Sequence, residues 1–155
     1  MSSTEPASSP VPLSAPYYGA SMVIAFSRFW RKYATFSGRA SRSEYWWWVL
    51  ISVIVAVIFL IIGTVAGGIF GPFTAAGTAA ATPTMGPGYG IYITLSLIWS
   101  LAALVPGLAL IWRRFHDTNR SGAFYFLVLI PFVGPIIVLV FELLPPNPEG
   151  ARFDR

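Results

Sequence analysis

Long apolar runs separated by short charged segments form the main pattern along this chain. Residues 49–62 are a continuous apolar run, and with the aromatic residues ahead of it the segment 45–65 reaches the ~20 residues that a membrane-spanning helix needs. A second apolar segment covers residues 91–112, and a third covers residues 123–144. The pattern predicts an all-α integral membrane protein with three transmembrane helices at about these positions.

The third segment contains helix-breaking residues at Pro131, Gly134 and Pro135. If the helix breaks there, each half has only eight or nine residues. At a rise of about 1.5 Å per residue neither half crosses a ~30 Å hydrocarbon core, so the segment would be re-entrant. The sequence favours a full, proline-kinked span, because neighbouring helices can satisfy the backbone groups that a proline frees. The two alternatives place the C-terminal tail, residues 151–155, on opposite sides of the membrane.

Two different segments precede the first span. Residues 1–20 contain four prolines, one glutamate and no Lys or Arg, which predicts a disordered tail. Residues 21–36 have helical periodicity, with an apolar side and a basic side. The apolar side is Met22, Phe26, Phe29, Trp30, Tyr33 and Phe36, and the basic side is Arg28, Arg31 and Lys32. This pattern predicts an amphipathic helix in the membrane interface, although a helix packed on its own protein needs the same stripe.

The distribution of Lys and Arg predicts the orientation. Five lie in residues 28–42 and three in 113–120, whereas residues 63–90 have eight glycines, three prolines and no charged residue. Cytoplasmic loops carry the excess of Lys and Arg. We therefore expect the N-terminus and the 113–122 loop in the cytoplasm, and 63–90 as a flexible extracytoplasmic loop within one membrane domain over residues 21–150.

Composition agrees with a membrane location and excludes several kinds of site. Hydrophobic residues make up 55% and charged residues 10%, against about 25% charged in a soluble domain. The basic pI of about 9.8 is explained by residues flanking the apolar runs, so no nucleic-acid partner is expected. The chain has no cysteine and one histidine, which excludes a thiol nucleophile and a Cys/His metal site within one chain. We expect no cofactor.

Two polar segments, 37–44 and 113–122, are predicted to share the cytoplasmic face. Their charged residues are Arg39, Arg42, Glu44, Arg113, Arg114, His116, Asp117 and Arg120. Charges near a low-dielectric boundary gain from pairing, so we expect Glu44 to pair with an arginine of the second segment and Asp117 with one of the first. This cluster would hold the helix ends in register.

The same cluster has three functional interpretations. Its arginines could bind anionic lipid headgroups, at about 1 kcal/mol per basic residue, or the face could dock a protein partner in the membrane or cytoplasm. His116 and Asp117 could instead act in acid–base catalysis. Adjacent residues on a helix do not face each other, and no further group completes a catalytic constellation. We therefore expect no catalytic site.

Three segments carry a recognisable order of residues: KYATFSGRASRSEYWWW, VPGLALIWRRFHDTNRSG and FLVLIPFVGPIIVLVFELL. In them the chain resembles the bacterial domain-of-unknown-function 805 family of small inner-membrane proteins. The matching positions are 36–39, 42, 44–46, 113–114, 116–118, 120–121, 130–131 and 134. Phe115 stands where the family usually has leucine, and the tail PEGARFDR lacks the family's common ending. The resemblance implies a bacterial cell membrane protein with a few helices, and no particular activity.

The function that we expect is that of a structural or accessory multi-pass membrane protein. Its arginine-rich cytoplasmic face would bind anionic lipid or a protein partner. The alternative is a subunit of an oligomeric channel or transporter, which requires a homo-oligomer because three spans in one chain do not enclose a path.

Overall fold

The computed structural model describes residues 11–69 and 85–154, and these form four α-helices and two 3-10 helices. The α-helices are α1 (Met22–Arg31), α2 (Arg42–Val65), α3 (Pro87–Asp117) and α4 (Val133–Leu143), and the 3-10 helices are Gly122–Leu129 and Pro148–Phe153. The predicted all-helical class is confirmed.

Among the residues that the structure describes, helices α2 and α3 are the two that are long and apolar enough to cross a membrane. They have 24 and 31 residues, with a mean hydropathy of 2.9 and 2.0 in their most apolar stretch. At about 1.5 Å per residue both exceed a ~30 Å hydrocarbon core. Their apolar side chains are largely exposed, for example Val53, Leu97 and Leu101, as suits helices solvated by lipid.

The third apolar segment differs from the full, kinked span that the sequence favours. A 3-10 helix over Gly122–Leu129 and a separate helix α4 flank a break at which Phe132 has a φ of 62°. The two pieces pack against each other as a hairpin, so closely that a Cβ at Gly134 would overlap the Leu127 carbonyl oxygen. With 11 residues, α4 extends about 16 Å, too short to cross a bilayer alone. The broken-helix alternative fits this geometry.

The chain divides into two compact units. The apolar unit is formed by residues 48–69 and 85–105 of the described chain. Within it α2 and α3 approach closely where a Cβ at Gly88 would overlap the Gly63 carbonyl oxygen. Trp48 and Trp99 stack with their ring centroids 5.8 Å apart. Small residues therefore permit close packing of the two spanning helices.

The charged unit is formed by residues 11–47 and 106–154 of the described chain. Its interior mixes apolar side chains, such as Phe29, Leu110 and Phe115, with many polar ones. The buried polar side chains are Arg28, Lys32, Ser41, Glu44, Arg113, Arg114, His116, Asp117, Thr118 and Glu142. Large apolar side chains of the same unit, such as Phe26, Phe36 and Phe124, are exposed. A soluble globule rarely buries so many charged side chains beneath exposed apolar ones.

The structure differs from the sequence-based prediction at the ends of three segments. Residues 11–20 are not disordered, because the carbonyls of Val11, Pro12 and Ala15 accept hydrogen bonds from Arg28. Helix α1 ends at Arg31, earlier than the predicted boundary at residue 36. The glycine-rich loop is shortened at both ends by α2 and α3. Residues 1–10 and 70–84, on which the remaining loop and tail predictions fall, lie outside the described residues.

Candidate functional site

The start of α2 is fixed by a capping box. The Ser41 hydroxyl accepts a hydrogen bond from the Glu44 backbone N–H at 3.2 Å, and the Glu44 carboxylate accepts one from the Ser41 N–H at 2.9 Å. This reciprocal pair satisfies two N–H groups that a helix start leaves without partners. The carboxylate is thereby held in the first turn of α2, where the helix dipole also favours a negative charge.

The Glu44 carboxylate also joins α2 to α1 and to the N-terminal segment. Arg28 Nε lies 2.5 Å and Lys32 Nζ 3.8 Å from Glu44 Oε1. The Tyr17 backbone N–H donates to Glu44 Oε2 at 3.2 Å. Because the Glu44 side chain is only 3% exposed, these contacts lie in an environment of low dielectric, where charge pairing is strong. One carboxylate therefore connects three segments of the charged unit.

Arg28 of α1 and Lys32, just after the helix, face this carboxylate, whereas several apolar side chains of α1 are exposed. Arg28 and Lys32 are 7% and 1% exposed, whereas Val23 is 76% exposed. Phe26 and Met22 are exposed as well. The two predicted sides do not separate cleanly, because Phe29 of the apolar side is buried together with Arg28, and Arg31 of the basic side is exposed.

Cations outnumber carboxylates around Glu44. Arg113 lies close enough to Glu44 and Arg28 to interact electrostatically with both, and its Nε donates to the Ala109 carbonyl at 3.0 Å. Among the described residues, Lys32 Nζ and Arg113 Nη2 are buried without a hydrogen-bond partner. Burial lowers the pKa of Lys32 to about 7; Glu44 opposes this shift, and Arg113 and Arg28 add to it.

A second part of the charged unit holds the end of α4 beside the end of α3. Arg114 pairs with Asp117 at 2.8 Å and donates to the Glu142 carbonyl at 3.1 and 2.9 Å. It also donates to the Leu144 carbonyl at 2.5 Å, which accepts from Arg42 at 2.9 Å. Guanidinium groups thus satisfy carbonyls at the C-terminus of α4, where positive charge is favoured. The 122–144 hairpin begins and ends near the last turn of α3.

His116 and Asp117 have separate structural partners. The His116 Nδ1–H donates to the Gly38 carbonyl at 3.0 Å, and the imidazole stacks on the Phe153 ring at 4.0 Å between centroids. The Asp117 carboxylate accepts from the Tyr18 hydroxyl at 2.9 Å. Burial, and then this hydrogen bond, raise the pKa of Tyr18 to about 12, so the phenol remains a donor.

The C-terminal tail closes over the end of α3 and leaves an open pocket. Arg39 and Asp154 form an ion pair at 2.7 Å, which raises the pKa of the Arg39 guanidinium. A pocket of about 540 Å³ lies beside the tail. It is lined by Ser37, His116, Ser121, Arg152 and Phe153.

The predicted charged residues are brought into one unit, but with different partners from those expected. Glu44 forms its ion pairs with α1, and Asp117 pairs with Arg114 of its own helix. Arg120 lies over the Phe141 ring at 4.5 Å. In the described ranges, no group of three His, Asp or Glu residues is placed to hold a metal ion.

Sequence reasoning missed Arg28, Lys32, Tyr18, Phe153 and Asp154 as members of this cluster. The Ser-x-x-Glu spacing at 41–44 is the signal for a capping box, and Arg and Asp three apart at 114–117 is the signal for a pair on one helix. The long-range partners in the two tails have no comparable local signal.

Replacing Glu44 by glutamine tests the shared carboxylate. Glu44→Gln keeps a side chain that can cap α2 but leaves the buried cations without their counter-charge. We expect the free energy of unfolding to fall by about 3–5 kcal/mol, measured by denaturant titration in detergent micelles. The control Glu149→Gln changes an exposed carboxylate and should alter stability by less than about 0.5 kcal/mol. If the two variants lowered the free energy of unfolding equally, Glu44 would not be the counter-charge of the buried cations.

The lowered pKa of Lys32 predicts how stability depends on pH. In the unfolded chain this amine holds its proton up to a pH of about 10.5, but in the folded chain only up to about 7. Between these values the unfolded state binds more protons, so the stability of the folded protein rises with pH. Thermal unfolding between pH 7 and 9.5 should show this rise in the native chain and lose it in Lys32→Met. If the stability of the native chain and that of Lys32→Met changed with pH in the same way, the prediction would be wrong.

Comparison with known proteins identifies relatives. A family model described as a protein of unknown function (DUF805) matches residues 33–155. The inner membrane protein YhaI of Escherichia coli K12 is 38% identical over 111 residues, which cover 72% of this chain and 75% of that protein. The inner membrane protein YhaH of the same organism is 32% identical over 123 residues, or 79% and 87% of the two chains. No solved structure gives a significant match. The chain therefore belongs to the DUF805 family, alongside these inner membrane proteins.

Proposed function

We propose that this protein is a structural or accessory component of the bacterial inner membrane that binds anionic lipid headgroups at its cytoplasmic side. The orientation of α1 carries the proposal. Arg28 is buried against Glu44, whereas Met22, Val23 and Phe26 are exposed. A helix that presents aromatic and aliphatic side chains outward, with the basic Arg31 also at its surface, suits the membrane interface.

The cations that contact lipid are a smaller set than the whole arginine-rich face. Arg42 and Arg114 are bonded to carbonyls at the end of α4, and Arg39 is paired with Asp154. Among the described residues, the remaining candidates are the exposed Arg31 and Arg152 and the half-buried Arg120. Each contributes about 1 kcal/mol near an anionic membrane surface.

The proposed topology has both termini in the cytoplasm, with α2 and α3 spanning and the 122–144 hairpin re-entrant. Every Lys and Arg of the chain falls in residues 28–42, 113–120 or 152–155. With the hairpin returning to Arg114, all ten basic residues lie on one side, as the positive-inside rule favours. In the alternative with a third full span, the basic residues of the tail would lie outside.

The absence of cysteine from the chain makes this topology testable with single cysteines. We expect Ala66→Cys to react with a membrane-impermeant maleimide in intact spheroplasts, because it follows α2 on the extracytoplasmic side. Ala151→Cys and the cytoplasmic control Ser27→Cys should react only after permeabilisation. Labelling of Ala151→Cys in intact spheroplasts would establish three full spans and overturn the re-entrant hairpin.

Lipid preference tests the functional proposal itself. Spin-labelled phosphatidylglycerol should be enriched over phosphatidylcholine in the lipid shell around the reconstituted protein. Arg31→Gln with Arg120→Gln should lower that enrichment several-fold at low salt, because two surface charges of about 1 kcal/mol each are lost. The control pair Arg31→Lys with Arg120→Lys keeps the charge and should preserve the enrichment. A native chain without any preference for the anionic lipid would contradict the proposal.

A further inference from the structure

We propose that the charged unit binds one small inorganic anion, with the size and charge of chloride, beside the side chains of Lys32 and Arg113. Both side chains belong to residues that are 1% exposed. Among the described residues, Lys32 Nζ and Arg113 Nη2 are buried without a hydrogen-bond partner. A buried donor without an acceptor is costly and calls for an explanation, of which a bound ion is one. The proposal concerns the interior of the charged unit and does not rest on the proposed function.

The two donors come from different segments that converge on the start of α2. Lys32 follows α1, and its Nζ lies 3.8 Å from Glu44 Oε1. Arg113 lies in the last part of α3, and its carbonyl accepts from the Ala40 N–H at 3.0 Å, directly before the Ser41–Glu44 capping box. Arg113 also acts electrostatically on both Lys32 and Glu44. Glu44 is thus their common neighbour, and we place the anion beside it.

The Glu44 carboxylate is already occupied by other donors. Its Oε1 lies 2.5 Å from Arg28 Nε, and its Oε2 accepts from two backbone N–H groups at 3.2 and 2.9 Å. At 3.8 Å, Lys32 Nζ is beyond hydrogen-bonding distance of this carboxylate. Arg113 Nε donates to a carbonyl of its own helix at 3.0 Å, but that bond does not satisfy Nη2. Both donors therefore need a further acceptor.

The local charge favours an anion over a water molecule as that acceptor. The cluster holds three cations, Arg28, Lys32 and Arg113, around the carboxylate of Glu44. The Asp154 carboxylate also acts on Lys32, but it already forms an ion pair elsewhere. A water molecule would accept hydrogen bonds and leave the excess positive charge buried. An anion supplies the acceptor and the counter-charge together.

The enclosure of the cluster limits the size of the anion. Solvent does not reach Lys32 Nζ or Arg113 Nη2. The N-terminal segment covers Arg28, whose guanidinium donates to the carbonyls of residues 11, 12 and 15. A lipid phosphate carries ester chains that would have to leave this interior. A halide ion carries none and accepts hydrogen bonds from any direction, so it suits two donors from separate segments.

Anion binding is coupled to the protonation of Lys32. Burial lowers the pKa of this amine to about 7; Glu44 and Asp154 oppose the shift, and Arg113 and Arg28 add to it. A bound anion stabilises the charged amine and therefore raises its pKa. By linkage, the anion binds more tightly when Lys32 is protonated. We expect the affinity for chloride to fall several-fold as the pH rises from 6 to 9.

Equilibrium dialysis of radiolabelled chloride against the full-length protein in detergent, with gluconate keeping the ionic strength constant, tests the site. At pH 6 we expect one chloride per chain at saturation. Lys32→Met keeps the length of the side chain but loses a charged donor, so it should bind about tenfold more weakly. The control Arg31→Met removes an exposed cation one residue away and should bind like the native chain. Equal weakening by the two variants, or no saturable binding to the native chain, would overturn the proposal.

Two further measurements use the native chain alone and do not depend on the folding of a variant. The affinity for chloride should be several-fold higher at pH 6 than at pH 9, and equal affinities would remove Lys32 from the site. Bromide should displace the labelled chloride at a similar concentration, because it has the same charge and nearly the same size. Displacement by an equal concentration of phosphatidylglycerol would show a lipid site and overturn the choice of a small anion.

Discussion

The buried carboxylate of Glu44 is the interaction on which the charged unit depends. It caps α2 through Ser41, pairs with Arg28 of α1 and receives the backbone of Tyr17. A buried charge is costly unless it is both paired and hydrogen-bonded, and Glu44 meets both conditions. Removing it would leave cations buried in a place where water cannot solvate them. The position of α1 against the start of α2 therefore depends on this ion pair as well as on the burial of Ala25 and Phe29.

The same ion pair leaves part of α1 exposed. Arg28 is satisfied internally, and under the proposed function the exposed Met22, Val23 and Phe26 meet lipid. The end of α4 is similar, because Arg42 and Arg114 donate hydrogen bonds to its backbone carbonyls. Most of the arginines thus stabilise the fold, and only those left at the surface are available for lipid. Different arginines therefore serve the fold and the proposed function.

The helical class and the first two spans were predictable from sequence, because length and hydropathy determine them. Periodicity predicts a helix with an apolar side and a basic side, but it does not predict that Phe29 of the apolar side and Arg28 of the basic side are both buried. The sequence allows the 122–144 hairpin but does not favour it over a kinked span. Prolines such as Pro131 and Pro135 occur both where a helix is kinked and where it ends. The contacts of His116 depend on Gly38 and Phe153, which are far away in sequence and carry no local signal.

A double-mutant cycle between Arg28 and Glu44 tests the central claim most directly. The free energy of unfolding would be measured in detergent for Arg28→Met, Glu44→Gln and the double variant. The account predicts that the double variant is more stable than the sum of the single losses implies, with a coupling of about 1–3 kcal/mol, because each single change strands a buried charge. Additive losses would show that the two side chains act independently and would contradict the account.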